Sequence, residues 1–370
     1  PLSLWNAASA GLTPDDVLEG LRRFSRYPIP ENVETDIREY MGRYGRLVLE
    51  RAGDQLVLRS PDPLLLDQIR RNKSTQPFIE DRLDERTLKV GGAYRGRLKQ
   101  SLIKLGFPVQ DLAGYVEGAP LVLSLSATLE SGTPFQMRDY QKAAVSAFYR
   151  GGSASGGSGV IVLPCGAGKT VIGLGVMAEL KRKTLILVTN IVALRQWKRE
   201  ILEKTTLRET DVAEYSGERK ELGPVTIATY QILTYRRQKS DEYPHLAVFE
   251  AEDWGLILYD EVHLLPAPVF RMTADIQARR RVGLTATLVR EDGLETDVFS
   301  LIGPKCFDIP WKALEKQGWI AQAECHEIRV PLPLEQRREY VMSPLRAQYR
   351  IASENPLKLD VLESLLERHK

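Results

Sequence analysis

Two short groups of residues have the types and spacing that phosphate-transfer chemistry needs. The first is a run of small residues before Lys169 and Thr170, between an apolar β-like run and a helical pattern. Small residues let backbone N–H groups close around phosphates, while the lysine reaches the terminal phosphate oxygens and the threonine hydroxyl binds Mg²⁺. The strict motif begins with glycine where this chain has Leu163, so the match is incomplete. The candidate cofactor-binding residues are Pro164, Cys165, Gly166, Ala167, Gly168, Lys169 and Thr170.

The second group is an acidic pair at the end of an apolar run. Asp260 and Glu261 follow residues 256–259, and His263 comes two positions later. Asp260 is predicted to hold Mg²⁺ through its water shell, and Glu261 to polarise an attacking water. An ordinary acidic turn would have the same composition, but the glycine-rich run earlier in the chain favours hydrolysis of a nucleoside triphosphate. This hypothesis requires the two groups to meet in space.

The elements that must position these groups follow a regular order from about residue 135. Short runs that are apolar on both faces alternate with helical patterns, which is typical of parallel strands in a doubly wound α/β sheet. Such sheets bind ligands beyond the carboxyl ends of their strands, where both groups fall. The predicted strands are 160–163, 184–188, 225–228, 256–259 and 281–284.

The region before residue 130 has a different pattern and predicts a smaller α+β accessory domain. Thr13 is a candidate N-cap for a first helix over 13–25, and a second helix is expected over 31–44. Two β-like runs follow at 46–50 and 55–59. This order resembles a winged helix over about residues 1–60, whose second helix would contact DNA or, equally, a protein.

Two further segments have a biased composition. Residues 82–104 carry seven basic side chains against Asp84 and Glu85, which favours either phosphate neutralisation or a plain solvated face. Residues 151–159 contain only Gly, Ser and Ala and predict a flexible insertion without packing side chains.

Composition sets the outer limits. A chain of 370 residues predicts two or three domains, and no apolar run is long enough for a bilayer. The N-terminus has no signal-peptide pattern, so a cytoplasmic location and no membrane partner are expected. The net charge of +2 is too small to indicate a nucleic-acid partner. Cys165, Cys306 and Cys325 are odd in number and far apart, which favours reduced thiols.

Several of these runs resemble the motifs of the XPB family of superfamily-2 DNA helicases. The residues from Asp260 to His263 resemble its DEVH box, and the run that starts at Leu163 is similar to its motif I, which also lacks the first glycine. Residues 283–288 are similar to motif III, and Arg290, Glu291 and Asp292 match the Arg-Glu-Asp motif that distinguishes this family. The resemblance implies a RecA-like P-loop motor domain that uses ATP and Mg²⁺.

The resemblance also implies roles for single residues. Arg138 and Gln141 would contact the adenine, and Thr189 and Thr229 would line the nucleic-acid track. The catalytic group would be Lys169, Asp260, Glu261 and His263. The residues implied in coupling hydrolysis to strand movement or in opening DNA are His263, Thr285, Thr287, Arg290, Glu291 and Asp292.

The resemblance implies a DNA helicase of 3′→5′ polarity in repair or transcription, with a nuclease or repair-factor partner. The expected organisation is an accessory domain over 1–130, a first RecA-like domain over 131–330, and over 331–370 a linker with the start of a second helicase domain. Without that domain's arginine finger, hydrolysis by this chain is expected to be weak. The alternatives are a restriction-system motor, an RNA helicase, and a nucleotide-switched module that binds DNA or a partner without unwinding.

Overall fold

The computed structural model describes residues 1–238, 243–276, 279–287, 295–322 and 326–368. It divides into two compact units, residues 1–320 and residues 321–370. The division falls ten residues before the expected start of the last segment at 331. The two units are described separately below.

The first unit begins with a five-stranded sheet in the order β3-β4-β2-β1-β5. Its strands are β1 (Leu47–Ala52), β2 (Gln55–Arg59), β3 (Ile79–Asp84), β4 (Thr87–Val90) and β5 (Val109–Asp111). The helices around it are α1 (Leu2–Ser9), α2 (Pro14–Phe24), α3 (Glu31–Arg43), α4 (Pro63–Arg71) and α5 (Arg95–Lys104). The predicted helices and the β1–β2 hairpin are present, but the hairpin differs from a wing. Both of its outer edges are paired, with β4 on one side and β5 on the other.

The basic segment 82–104 does not form a free positive face. Its side chains lie on different elements, and most of them meet carboxylates from other parts of the fold. Arg82 pairs with Asp67, Lys89 with Glu80, Arg97 with Asp275, and both Arg95 and Lys99 with Asp111. Four carboxylates thus face these five cations, which favours internal ion pairing over phosphate neutralisation for them.

The Gly/Ser segment is an exposed loop only in its first part. Residues 151–155 are exposed, whereas Gly156 and Gly157 are buried. A Cβ at Gly156 would lie 2.3 Å from the carbonyl oxygen of Tyr149, and the hydroxyl of Tyr115 donates to Ser158 Oγ at 2.8 Å. The expectation of an insertion without packing contacts is wrong for 156–159, because these residues enter a buried strand.

The rest of the first unit is a seven-stranded parallel sheet in the order β12-β6-β11-β10-β7-β9-β8. Its strands are β6 (Ser158–Val162), β7 (Thr184–Val188), β8 (Val212–Tyr215), β9 (Val225–Thr229), β10 (Leu256–Asp260), β11 (Arg280–Thr285) and β12 (Lys305–Asp308). All five predicted strands are confirmed. The edge strands β8 and β12 were not predicted, because they are short and half polar.

Helices cover both faces of this sheet and bury a separate apolar cluster on each. They are α6 (Asp139–Tyr149), α7 (Lys169–Leu180), α8 (Ile191–Lys204), α9 (Tyr230–Leu233), α10 (Ala267–Asp275), α11 (Glu295–Leu301) and α12 (Trp311–Lys316). The glycine-rich run leaves the carboxyl end of β6 and the acidic pair that of β10, with only β11 between them. The doubly wound α/β prediction is confirmed, and its topology brings the two groups to one edge.

The second unit is helical. It contains α13 (Leu334–Met342), α14 (Leu345–Ser353) and α15 (Leu357–Arg368). The Asn355 amide donates to Pro331 O at 3.1 Å and its oxygen accepts from Leu357 N at 3.1 Å, which fixes the turn before α15. Throughout the described part of the chain, no helix is long and apolar enough to span a membrane.

Candidate nucleotide site

The glycine-rich run forms a tight loop between β6 and α7. Gly166 and Gly168 have φ of 79° and 78°, and a Cβ at Gly168 would lie 2.6 Å from Gln141 Nε2. Only glycine fits at position 168. No side chain caps the first turn of α7, so its backbone N–H groups and helix dipole are available to an anion. Cys165 is exposed, Ala167 is buried, and Pro164 and Thr170 are half-buried.

The acidic pair meets this loop directly. Lys169 Nζ donates to Glu261 Oε1 at 2.6 Å, with side chains only 14% and 28% exposed. Glu261 has φ of 48°, a left-handed conformation that costs a non-glycine residue about 1 kcal/mol. This backbone turns the carboxylate away from the line of β10 and toward the lysine. The spatial condition that the sequence hypothesis set is therefore met.

Asp260 is held from three directions. Its Oδ2 accepts from Trp197 Nε1 at 2.8 Å, its Oδ1 accepts from the backbone N–H of Glu261, and its carbonyl oxygen accepts from Tyr230 Oη at 2.9 Å. Burial raises the pKa of Asp260, and Glu261 raises it further, while Trp197 and Lys169 act in the opposite direction. Sequence reasoning missed Trp197 and Tyr230. The sequence offered one indication of their role. Each is an aromatic residue with a hydrogen-bonding group, Trp197 on the helix after β7 and Tyr230 on the helix after β9.

The donor set fits Mg²⁺ bound together with a nucleotide. Mg²⁺ is usually held by one or two carboxylates, with phosphates and waters completing the shell. Asp260 and the Thr170 hydroxyl are oxygen donors of this kind. Glu261 Oε2 is buried and makes no hydrogen bond within the described residues. The described residues contain no group of three or more His, Cys, Asp or Glu that could hold a metal by itself.

A hydrogen bond joins the acidic segment to the end of β11. His263 Nδ1 lies 2.8 Å from Thr285 Oγ1 and 3.4 Å from Glu261 Oε2. Thr285 is buried, and its hydroxyl also accepts from Thr287 N at 3.2 Å, while Thr287 itself is exposed. His263, Thr285 and Thr287 are thus joined by hydrogen bonds, and the histidine ring approaches the Glu261 carboxylate without a hydrogen bond to it.

The residues expected to contact the adenine are also connected to the phosphate-binding loop by hydrogen bonds. Gln141 Oε1 accepts from Arg138 N at 2.9 Å, and Gln141 Nε2 donates to Ala167 O at 3.3 Å. Tyr140 Oη donates to the same carbonyl oxygen at 2.6 Å. The first turn of α6 is therefore fixed to the loop by side chains, and Tyr140 is a contact that the sequence did not single out.

The residues expected to contact nucleic acid do not touch the phosphate-binding loop or the acidic pair through any hydrogen bond described above. Thr189 follows β7 and is half-buried, and Thr229 ends the neighbouring strand β9, so both lie at the same carboxyl edge. Thr229 is only 2% exposed, and its hydroxyl accepts from Ile232 N at 3.3 Å as the cap of α9. Arg290, Glu291 and Asp292 lie outside the described residues.

Two family models match the chain. Residues 134–290, which include both chemical groups, match the type III restriction enzyme res subunit model. Residues 1–84 match a model described as a helicase conserved C-terminal domain.

Curated relatives align with the whole chain. It is 52% identical over 370 residues to proteins named DNA 3′-5′ helicase XPB from Mycobacterium tuberculosis and Kineococcus radiotolerans, and covers 65% and 64% of them. It is 32% identical over 387 residues to the general transcription and DNA repair factor IIH helicase/translocase subunit XPB of Enterocytozoon bieneusi, covering 62% of that protein. The chain thus spans a little less than two thirds of these relatives. With its loop and acidic pair assembled at one sheet edge, the chain is similar over its whole length to helicases of the XPB family.

Proposed function

We propose that this chain carries the ATP-binding part of a motor that translocates on DNA and opens it with 3′→5′ polarity. The observation that carries the proposal is the Lys169–Glu261 contact, which joins motifs 92 residues apart in the sequence. The names of the relatives support DNA as the track and repair or transcription as the setting. They do not favour a nucleotide switch without unwinding.

The chemistry follows from the residues at the sheet edge. The loop amides and Lys169 bind the phosphates, and Thr170 and Asp260 hold the magnesium ion, which would neutralise charge that develops on the γ-phosphate. Glu261 orients the attacking water. We expect Lys169 to exchange the Glu261 carboxylate for phosphate oxygens when ATP binds.

Coupling to DNA uses the connections around the acidic pair. His263 and Thr285 link Glu261 to β11, after which Thr287 and the segment with Arg290, Glu291 and Asp292 would contact or open DNA. Trp197 and Tyr230 link Asp260 to the helices behind Thr189 and Thr229. Because the Thr229 hydroxyl is buried, we assign its phosphate contact to backbone N–H groups at that position. A repair-factor partner is proposed from the names of the eukaryotic relatives, and a nuclease partner from the motif resemblance alone.

Binding to DNA should depend steeply on salt and little on sequence. Contacts to several phosphates release counterions, so affinity should fall by about 10³-fold between 50 and 200 mM salt. Fluorescence anisotropy with two unrelated duplexes measures both properties. A flat salt dependence would contradict a grip on the DNA backbone.

Hydrolysis supplies the decisive test of the motor assignment. DNA should stimulate phosphate release more than RNA does, and Glu261→Gln should reduce the stimulated rate by about 10²–10⁴-fold while ATP binding persists. RNA as the better stimulator would favour an RNA helicase. Undiminished hydrolysis by Glu261→Gln would remove the carboxylate from the reaction.

Asp260→Asn tests the contribution of one side chain both to protein stability and to magnesium-dependent nucleotide binding. Both oxygens of Asp260 accept hydrogen bonds, and the asparagine amide can replace only one of them, so the thermal midpoint should fall by about 2 °C. The same change removes the carboxylate proposed to hold Mg²⁺. Titrating Mg²⁺ at fixed ATP should show that magnesium no longer strengthens nucleotide binding.

The pH dependence of ATP binding by the parent chain provides a second test of the role of Asp260. Because the pKa of Asp260 is raised, the carboxyl becomes protonated at a pH above the 3.8 of an ordinary aspartate. The magnesium-dependent part of ATP binding should therefore be present at neutral pH and fade as pH falls through this raised pKa. Identical pH profiles for the parent chain and Asp260→Asn would exclude Asp260 as the magnesium-holding group.

A further inference from the structure

An exposed tryptophan lies against the residues expected on the adenine side. The Arg138 guanidinium is centred 4.4 Å from the ring of Trp319, the closest cation–π contact among the described residues. Arg138 Nη1 also donates to Tyr140 Oη at 3.2 Å. Trp319 is 44% exposed. Its indole thus has one side occupied by an arginine and a large area that no protein group covers.

The segment that carries Trp319 also touches the phosphate-binding loop. A Cβ built on Gly166 would lie 4.0 Å from the side chain of the next residue, Ile320, which packs against the apolar cluster under α6 and α7. Trp319 N donates to Leu314 O at 3.0 Å, which holds this segment against the end of α12. The tryptophan is therefore fixed beside the loop by contacts on both sides of it.

Hydrogen bonding alone would leave the base weakly held. Gln141 is buried, its oxygen already accepts from Arg138 N, and its nitrogen already donates to Ala167 O. One further donor and one further acceptor position remain on that amide, enough to read an edge but not to cover the ring. Planar stacking on an aromatic or guanidinium group is the usual complement to such edge contacts.

We propose that Trp319 and Arg138 form the stacking wall for the nucleobase, so that Trp319 determines affinity for the base and not for the phosphates. The inference rests on the proposed ATP site and adds a specificity residue far along the chain from both chemical motifs. Stacking of a base on an aromatic ring predicts about tenfold weaker ATP binding for Trp319→Ala. Inorganic tripolyphosphate has no base, so its binding should be unchanged.

The experiment compares four chains with two ligands. The parent, Trp319→Ala, Trp319→Phe and Lys169→Ala are titrated calorimetrically with magnesium ATP and with magnesium tripolyphosphate. Trp319→Phe keeps a stacking ring and should recover most of the ATP affinity. If Trp319→Ala binds ATP as tightly as the parent, or loses both ligands equally, the stacking wall is wrong. If Lys169→Ala binds both ligands like the parent, the proposed nucleotide site itself fails.

Intrinsic fluorescence gives an independent readout with a matched control. Of the five tryptophans, three are buried, and the exposed ones are Trp311 and Trp319. Trp197 also lies at the site, hydrogen-bonded to Asp260, and can respond to either ligand. The ATP-induced change in emission should therefore be the same in Trp311→Phe as in the parent and smaller in Trp319→Phe, whereas tripolyphosphate should change the emission of all three equally. An ATP response that is reduced in Trp311→Phe and undiminished in Trp319→Phe would overturn the proposal.

Discussion

Lys169→Ala is expected to weaken ATP binding on the order of 100-fold. The lysine is expected to supply charge-assisted hydrogen bonds to the terminal phosphates, each worth about 1.5–3 kcal/mol. The measurement is competition of ATP against a ribose-labelled fluorescent analogue at fixed Mg²⁺.

The expected loss is a loss of binding and not of folding. The Lys169–Glu261 pair is partly exposed, and pairs of this kind contribute about 1 kcal/mol or less. The thermal midpoint should therefore stay close to that of the parent. Lys142→Ala removes an exposed lysine from the helix next to the loop and is the matched control. Binding by Lys169→Ala within about threefold of the Lys142→Ala control would remove the phosphate-loop assignment.

Asp111→Ala is expected to lower the free energy of unfolding by about 3–5 kcal/mol. The Asp111 carboxylate accepts from Arg95 Nη2 at 2.8 Å and from Lys99 Nζ at 2.8 Å, and both cations are buried. Its removal leaves these charges in a low-dielectric environment without their carboxylate. Urea unfolding followed by circular dichroism measures the change.

The control for this prediction is Asp81→Ala, which removes an exposed aspartate from β3 and should change stability by no more than about 0.5 kcal/mol. A loss of less than about 1 kcal/mol in Asp111→Ala would mean that the cations find water or other partners.

Acid should reduce the difference between Asp111→Ala and the parent. Burial alone would raise the pKa of Asp111, but Lys99 and Arg95 outweigh it and hold the pKa of this carboxyl well below its usual range. A depressed acid pKa contributes stability that is complete above the unfolded value of 3.8 and is lost as pH falls through the folded value. The stability difference should therefore be largest at neutral pH and shrink below pH 3.8.

The Asp111 cluster also shows why the sequence left the basic segment open between phosphate neutralisation and a solvated face. A sequence shows that seven cations follow one another, but not which carboxylates face them. Asp275 and Asp111 reach Arg97 and Arg95 from other elements, one of them 178 residues away. Charge balance of this kind is a property of packing and has no local signature.

Local physical chemistry alone determined the start of α2 and the five central strands. Thr13 and Asp16 form a capping box within four residues, and a strand buried on both faces must be continuously apolar wherever it lies in the sheet. The phosphate loop and the acidic pair were likewise readable, because their chemistry requires particular residue types at fixed local spacing.

Only the tertiary structure decided which groups meet. Strand order placed β11 between β6 and β10 and so brought Lys169 within 2.6 Å of Glu261. The same folding brought the indoles of Trp197 and Trp319 to the site from distant positions in the chain. Their residue types are compatible with an ordinary core or surface, and a contact between distant residues depends on the path of the whole chain. Sequence spacing therefore predicted the phosphate-transfer chemistry. Tertiary packing determined which further side chains contact the residues that carry it.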